Sequence, residues 1–361
     1  MNKIARRPLM GVICGLTMAL AASDAAALDP DASAPALNIL FLGNSYTGTD
    51  SLPTRVSNLA VNAGWATPYI ESVTPGGKQL WQHAAGDGSN APTRIANGPG
   101  GSGDWDVVVL QEQSQLPAHS SGKNTFYSGA LSLYDQVQAN NPNAQVVLYE
   151  TWARHTDYNF AGASYYIGAN AQDMQDRLST SYNYAADTYI PTNSTAADKT
   201  DVRVAEVGEA WRASYLDDAD FRLHKTDNSH PASEGVYLTA LMLYSEIYFT
   251  GVDGLSNAGL SSVSNTEATR LQGIAGDLIP DAYTRIAGDA NDDGLVTQAD
   301  IDFVTTNLGT TTPRLFNGDL NADGLVDSAD LSIVQANVPE PSSLALLGLC
   351  SMAVLHRRRR S

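Results

Sequence analysis

The chain has 361 residues, of which 43% are hydrophobic and 17% are charged, so it holds enough apolar material for a large globular core. Its net charge of -18 opposes contact with phosphate backbones, and we therefore expect no nucleic-acid partner. The two cysteines, Cys14 and Cys350, lie near the two ends, which excludes disulfides, thiolate metal sites and a cysteine nucleophile from the segment between them.

The first 27 residues have the pattern of a secretory signal peptide. Three basic residues before position 8 are followed by an apolar run over residues 9–22 and by three alanines at positions 25–27, which suit cleavage. A core helix or a membrane anchor is the alternative interpretation, but the run is short for a membrane span. We expect residues 1–27 to direct export of the protein.

Between residues 36 and 286, short apolar runs alternate with longer amphipathic segments. Strands are predicted at residues 37–42, 69–70, 107–110, 146–149 and 202–207, and helices at residues 56–60, 126–139, 237–249 and 266–279. Alternation of strands with helices predicts a parallel sheet that helices cover on both faces. The apolar runs lack period-two alternation, which agrees with strands buried on both faces.

Three polar segments fall where predicted strands end or helices begin. They are G-N-S-Y-T at residues 43–47, Q-E-Q-S-Q at residues 111–115 and D-N-S-H-P at residues 227–231. Ligands of parallel α/β proteins gather at the carboxyl ends of the strands, so we expect these segments to lie close together.

A serine becomes a nucleophile when a base removes its proton, and the base needs an acidic partner to fix its tautomer. Asp227 and His230 are three residues apart on a predicted loop. The carboxylate can therefore meet one ring nitrogen while the other nitrogen faces Ser45. The pattern predicts a Ser45–His230–Asp227 catalytic triad, with a helix N-cap as the alternative role for the serine.

The three segments resemble the SGNH (GDSL-like) hydrolase superfamily over about residues 36–286. Ser45 follows the first strand as in the first block of that family, and Asp227-x-x-His230 matches its last block. Asn44 stands where many relatives carry an aspartate. The resemblance implies a three-layer α/β/α sandwich with a central parallel sheet of the flavodoxin-like kind. It also implies hydrolysis of esters, often of acetyl groups on carbohydrate.

The same resemblance implies an oxyanion hole made of the N–H of the serine, a glycine after the second strand and an asparagine after the third. Gly76 and Gly77 are the glycine candidates. The third block here has no asparagine, and the amide of Gln111 or Gln113 can donate the same hydrogen bond, with Gln115 as a weaker candidate. The alternatives are a plain turn for the glycines and structural bonds between loops for the glutamines.

Two near-copies of an acidic D-x-N-x-D-G loop follow residue 287. Such spacing of hard oxygen ligands around a glycine suits calcium. The predicted ligands are Asp289, Asn291, Asp293, Leu295 (backbone), Thr297 and Asp300 in the first loop, and Asp319, Asn321, Asp323, Leu325 (backbone), Asp327 and Asp330 in the second.

An aspartate stands at the last ligand position where an EF-hand has glutamate, and one apolar helix follows each loop. Residues 287–337 therefore resemble a type I dockerin repeat, a small all-α module. The resemblance implies structural Ca²⁺ and a cohesin-like partner, while a calcium-dependent spacer is the alternative. An acidic surface loop would not explain the duplication.

Residues 338–361 combine a V-P-E-P start, an apolar stretch over residues 344–355 and four arginines at residues 357–360. They resemble a PEP-CTERM sorting signal. The resemblance implies transient membrane association, followed by release to the cell surface or an exopolysaccharide matrix. A permanent tail anchor is the alternative.

Taken together, the sequence predicts an exported serine ester hydrolase, a carbohydrate O-acetylesterase that acts on polysaccharide without a catalytic cofactor. The rival hypotheses are a non-catalytic carbohydrate-binding protein and a calcium-dependent adaptor of the extracellular matrix. A lipase or a thioesterase is the nearest enzymatic alternative.

Overall fold

The structure, a computed structural model, describes residues 35–196, 202–279, 288–291, 295–310, 318–320 and 325–338. The predicted signal peptide and nearly all of the predicted sorting tail lie outside these residues. So do three predicted calcium ligands, Asp293, Asn321 and Asp323. No helix among the described residues is both long enough and apolar enough to cross a membrane.

A single sheet of five parallel strands, in the order β2-β1-β3-β4-β5, forms the centre of the large domain. The strands are Asn38–Leu42 (β1), Tyr69–Val73 (β2), Val107–Leu110 (β3), Gln145–Tyr149 (β4) and Val202–Ala205 (β5). Strands β3 and β4 are buried along their whole length, as their apolar runs predict. The strand order reverses between β1 and β3, which opens a crevice at the carboxyl ends of these two strands.

Helices connect the strands and close the domain. They are Ser45–Gly48 (α1), Leu52–Ala63 (α2), Leu80–Ala85 (α3), Ala91–Asn97 (α4), Lys123–Asn140 (α5), Ala171–Tyr184 (α6), Ile190–Asn193 (α7), Val207–Asp217 (α8), Ser233–Tyr248 (α9) and Asn265–Gly276 (α10). A π-helical turn over Ala185–Tyr189 joins α6 to α7.

Alternate residues of each strand enter two separate cores. In β1, Phe41 packs with α2, α8, α9 and α10 on one face, whereas Leu40 and Leu42 pack with α3, α4, α5 and α6 on the other. The domain is therefore a three-layer α/β/α sandwich with a central parallel sheet, and this prediction is confirmed.

Two details differ from the prediction. Strand β5 ends at Ala205, and Val207 begins helix α8, so the predicted strand over residues 202–207 was too long. Val207 was included in the predicted strand because it is apolar, but its side chain is buried as the first residue of the helix. Helices α1, α3, α4, α6, α7 and α8 were not predicted, because they are short or bury few apolar positions among many polar ones.

Helix α9 is the central element of one core. Every residue from Gly235 to Tyr248 is buried, because the sheet and three other helices surround it. Its buried carboxylate, Glu246, forms an ion pair with Arg203 of β5, as a charge in the interior requires. The helix starts just after the D-N-S-H-P segment, so its packing fixes the position of that segment.

Glu112 connects the end of β3 to the start of α3. It is fully buried, and its Oε1 accepts the N–H of Gln113 at 2.6 Å and the N–H of Leu80 at 3.3 Å. Burial raises the pKa of Glu112 to about 8, although the two N–H donors lower it in part. The carboxyl thereby holds the loop before α3 against the carboxyl edge of the sheet.

The C-terminal module contains two similar helices, Gln298–Asn307 (α11) and Ser328–Asn337 (α12). Each begins with a capping box, in which Asp300 or Asp330 is the third helical residue. A small apolar cluster joins the two halves; it contains Ala290, Val304, Leu320, Val326 and Val334. The matching elements agree with the predicted tandem repeat.

We predict that Gly235→Ala lowers the free energy of unfolding. A Cβ at this position would lie 2.5 Å from the carbonyl oxygen of Leu223 and 2.6 Å from the Trp211 ring, and neither can move without disturbing the core. Overpacking of this kind costs about 1–3 kcal/mol. Urea unfolding of the full chain measures the effect.

Gly273→Ala is the matched control, because this glycine also lies in a helix and has no atom near the Cβ position. It should raise stability by about 0.5–1 kcal/mol, since alanine favours helix more than glycine does. Equal effects of the two substitutions would contradict the packing described for α9.

A second prediction concerns pH. The unfolded chain releases the Glu112 proton near pH 4.5 and the folded chain at about pH 8. The wild-type free energy of unfolding should therefore fall between these values as pH rises. Glu112→Gln removes this dependence and should gain stability relative to wild type over the same range. Urea unfolding at several pH values tests this prediction. It would be refuted if the difference in free energy of unfolding between Glu112→Gln and wild type stayed constant from about pH 5 to about pH 8.

Candidate active site

Ser45, His230 and Asp227 form a continuous chain of hydrogen bonds at the carboxyl edge of the sheet. His230 Nε2 lies 2.9 Å from Ser45 Oγ, and His230 Nδ1 lies 2.7 Å from Asp227 Oδ2. Ser45 begins α1 directly after β1, and His230 precedes α9. Ser45 and His230 are 185 positions apart in the sequence, and the fold brings them within hydrogen-bonding distance.

Hydrogen bonds within the loop fix the segment that carries His230. Asp227 Oδ1 accepts the N–H groups of Ser229 and His230, each at 2.9 Å, and Asn228 adopts the left-handed conformation that asparagine tolerates, with φ +61°. Partial burial raises the pKa of Asp227, but the imidazole and the two N–H donors outweigh it and hold that pKa below its usual value. The carboxylate is therefore ionised at neutral pH and can orient the imidazole.

The turn that carries Ser45 is fastened by Gln111. Gln111 is fully buried, and its Oε1 accepts the N–H of Asn44 at 3.0 Å and the hydroxyl of Thr47 at 2.9 Å. Gly43 is required here, because a Cβ would lie 2.4 Å from Thr47 Oγ1. Asn44, and not Ser45, caps helix α1 by accepting the N–H of Tyr46. The serine hydroxyl is thus left to the histidine.

A second contact of Asn44 brings the glycine loop towards the nucleophile. Asn44 Nδ2 donates to the carbonyl of Lys78 at 3.0 Å, which ties the turn of Ser45 to the loop that contains Gly76 and Gly77. Both glycines are exposed, and Gly77 has φ +68°. Ser45 is the first residue of its helix, so its N–H has no acceptor within that helix.

The two glutamine candidates differ in what their amides contact. Both ends of the Gln111 amide are engaged, because Oε1 holds the serine turn and Nε2 donates to the carbonyl of Glu112. Gln113 is half-buried, and its Oε1 accepts the N–H of Gln115 at 3.0 Å. This arrangement favours Gln113 Nε2 over Gln111 as a donor towards a substrate.

A column of aromatic rings behind the site was not foreseen. Trp152 stacks on Tyr46 and on Trp211, with ring centroids 4.5 Å and 3.9 Å apart and the rings parallel within 1° in both pairs. The rings of His230 and Tyr46 are arranged edge to face, with their centroids 5.4 Å apart. Trp152 Nε1 donates to the carbonyl of Ser229 at 3.0 Å. Through these two contacts, the stacked rings support the loop that carries His230.

Arg154 also has a place at this edge that sequence reasoning missed. It is 8% exposed and donates hydrogen bonds to hydroxyl groups on both sides of the site. Its only signal in the sequence is its position shortly after strand β4, at the edge where Ser45 was expected.

The C-terminal loops present carboxyl groups that fit calcium. Each loop begins and ends with a buried carboxyl: Asp289 and Asp300 in the first, Asp319 and Asp330 in the second. Asp300 Oδ1 accepts the N–H after Asp289 at 2.9 Å, and Asp330 Oδ1 accepts the N–H after Asp319 at 2.7 Å. The described residues alone contain no complete cluster of metal-binding side chains. The ends of each loop nevertheless lie together, with oxygen donors that suit Ca²⁺.

Comparison with protein families identifies both C-terminal segments. Residues 287–338 match the dockerin type I domain, and residues 337–360 match the PEP-CTERM protein-sorting motif. The sequence predicted these segments at residues 287–337 and 338–361, and both predictions are confirmed. A comparison with curated proteins gives no match.

Solved structures resemble the large domain. A DUF4886 family protein from Bacteroides uniformis aligns with a TM-score of 0.51 and 15% identity, over 68% of this chain and 95% of its own. A putative GDSL-like lipase from Parabacteroides merdae aligns with a TM-score of 0.40 and 13% identity, over 64% and 100% of the two chains. A family 3 carbohydrate esterase from Clostridium thermocellum gives 0.38 and 15%, over 58% and 94%. The strand order and the first of these similarities support the predicted three-layer α/β/α fold with a central parallel sheet.

Proposed function

We propose that the large domain is an exported serine ester hydrolase that removes O-acetyl groups from polysaccharide. The observation that carries the proposal is the hydrogen-bonded chain from Ser45 through His230 to Asp227, at 2.9 and 2.7 Å. A serine hydroxyl becomes nucleophilic in such an arrangement, because the imidazole takes its proton and the carboxylate fixes the tautomer.

In the acylation step, Ser45 Oγ attacks the ester carbonyl while its proton passes to His230 Nε2. Asp227 accepts the Nδ1–H bond and stabilises the imidazolium. The negative charge on the carbonyl oxygen is met by the N–H of Ser45, the N–H of Gly76 or Gly77 and the amide of Gln113. The C–O bond then breaks, and His230 returns the proton to the departing alkoxide of the sugar.

Deacylation repeats these steps with water. His230 takes a proton from the water as its oxygen attacks the acetyl carbon, and the bond to Ser45 Oγ then breaks. The proton passes to Ser45, so acetic acid and the free enzyme are the products. No residue changes oxidation state, and no cofactor enters the sequence of steps.

Two features support a polymeric substrate. The side chains of His230 and Asp227 are 36% and 49% exposed, so a bulky ester can reach the histidine without entering a deep channel. The sorting motif at residues 337–360 supports delivery to the cell surface or an exopolysaccharide matrix, where a polysaccharide substrate would be met. A lipase would instead need to enclose an acyl chain.

The dockerin segment supports a second part of the proposal. We propose that its two loops bind Ca²⁺ and that the folded module then engages a cohesin-like or matrix partner. The paired buried carboxyl groups at the ends of both loops carry this part. Binding of the metal would supply folding free energy to a module with a small apolar core.

We predict that the chain hydrolyses p-nitrophenyl acetate, and that Ser45→Ala and His230→Ala each lower kcat by about 10³-fold or more, because each removes a member of one catalytic unit. Release of p-nitrophenolate measures the rate. Asp227→Asn should lower kcat by about 10²–10⁴-fold, since it presents the wrong hydrogen-bonding partner to the imidazole.

Ser128→Ala is the matched control, because Ser128 is an exposed serine on α5 that bonds only to the carbonyl of Thr125. It should leave kcat unchanged. A folded wild-type chain that neither hydrolyses the ester nor labels Ser45 with a fluorophosphonate would reject the esterase proposal and favour a carbohydrate-binding role.

Calcium binding gives a separate prediction. Isothermal titration of the metal-free chain with Ca²⁺ should show two sites, and Asp300→Ala or Asp330→Ala should each remove one of them. Asp302→Ala is the control, since Asp302 is exposed and lies outside the loops. If all three variants bound the same number of Ca²⁺ ions, the acidic loops would not be the binding sites.

A further inference from the structure

Arg154 is a buried cation whose hydrogen-bonding partners are hydroxyl groups. The residue is 8% exposed. Its Nη1 donates to Tyr46 OH and, at 2.5 Å, to Ser229 Oγ, and its Nη2 donates to Ser114 Oγ at 3.0 Å. Among the ion pairs of the described residues, none involves Arg154. The charge is therefore held in the interior by neutral groups.

The three acceptors belong to the three segments that were singled out in the sequence. Tyr46 is the neighbour of Ser45, Ser229 is the neighbour of His230, and Ser114 follows β3. Tyr46 OH and Ser229 Oγ also lie 2.8 Å apart, so these two hydroxyls and the guanidinium form a closed triangle. One side chain thus links the nucleophile turn, the histidine loop and the loop after β3.

The chemistry of arginine suits this task better than that of any neutral residue. A guanidinium only donates, so every hydroxyl that it contacts must turn a lone pair towards it. Its planar, forked guanidinium can donate hydrogen bonds to three acceptors in a fixed geometry, whereas a lysine ammonium on a flexible stem cannot. Burial of a cation without an ion pair is unfavourable, which indicates that the contacts serve something besides stability.

We propose that Arg154 is a positioning residue that keeps Ser45 Oγ and His230 Nε2 at bonding distance by fixing the hydroxyls of their neighbours, Tyr46 and Ser229. The inference deepens the proposed esterase function and rests on it for its kinetic consequence. Its structural consequence, an ordered histidine loop, does not depend on catalysis.

The kinetic test compares Arg154→Gln, Arg154→Lys and wild type in the full chain. Arg154→Gln should lower kcat for p-nitrophenyl acetate by about 10–100-fold, because small displacements of reacting groups have effects of this size. KM should change by less than about twofold, since the arginine is buried behind the site and does not touch the ester. Arg154→Lys, which keeps the charge but not the fork, should recover part of the loss.

Arg177→Gln is the control, because Arg177 lies at the surface of α6 and pairs only locally with Asp173 and the ring of Tyr166. It should leave kcat and KM unchanged. A wild-type level of kcat in Arg154→Gln would overturn the inference while leaving the esterase proposal intact.

Amide hydrogen exchange, read by mass spectrometry, gives a test that needs no activity. Arg154→Gln should raise exchange at residues 44–48 and 225–231 at least about tenfold more than in the cores, whereas Arg177→Gln should not. If wild type proves inactive, this local rise would still support the positioning role. Unchanged exchange in these segments, or a uniform rise over the whole domain, would overturn it.

Discussion

The burial of a parallel sheet on both faces is the constraint from which the rest of the large domain follows. Alternate side chains of β1, such as Leu40 and Phe41, enter different cores, so helices must cover both sides. Parallel strands place all their carboxyl ends at one edge, and the order β2-β1-β3-β4-β5 opens that edge between β1 and β3. Polar segments after these strands meet there because no other edge is available to them.

Polar side chains buried at that edge hold the loops of the site in position. Gln111 holds the serine turn, Glu112 holds the start of α3, and Arg154 spans the loops on either side. His83, also buried, bonds to the carbonyl of Gly43 at 2.8 Å, and burial lowers its pKa. Each of these groups satisfies backbone or hydroxyl partners that would otherwise be buried without a hydrogen bond. The loops of the site are thereby held by directional contacts in addition to packing.

The C-terminal segments match families different from the fold of the large domain. The dockerin segment has a small core around Val304 and Val334, and its carboxyl groups close each loop onto the following helix. In the proposed function, this module binds Ca²⁺ and recognises a partner, while the sorting motif directs delivery. Under that proposal, catalysis, attachment and transport fall to consecutive parts of one chain.

The sequence alone determined the features that depend on local pattern. Uninterrupted apolar runs identified β1, β3 and β4, and the repeated acidic loops identified the dockerin segment. The Asp227-x-x-His230 spacing identified the acid and base of the candidate triad. Each of these features is encoded by neighbouring residues. Tertiary structure decided which polar groups meet across long separations. Arg154 and Tyr46 are 108 positions apart, and Gln111 and Asn44 are 67 apart, so no local pattern signals their contacts. For the same reason, only the fold could show that the Gln111 amide is already engaged by the serine turn and by the carbonyl of Glu112.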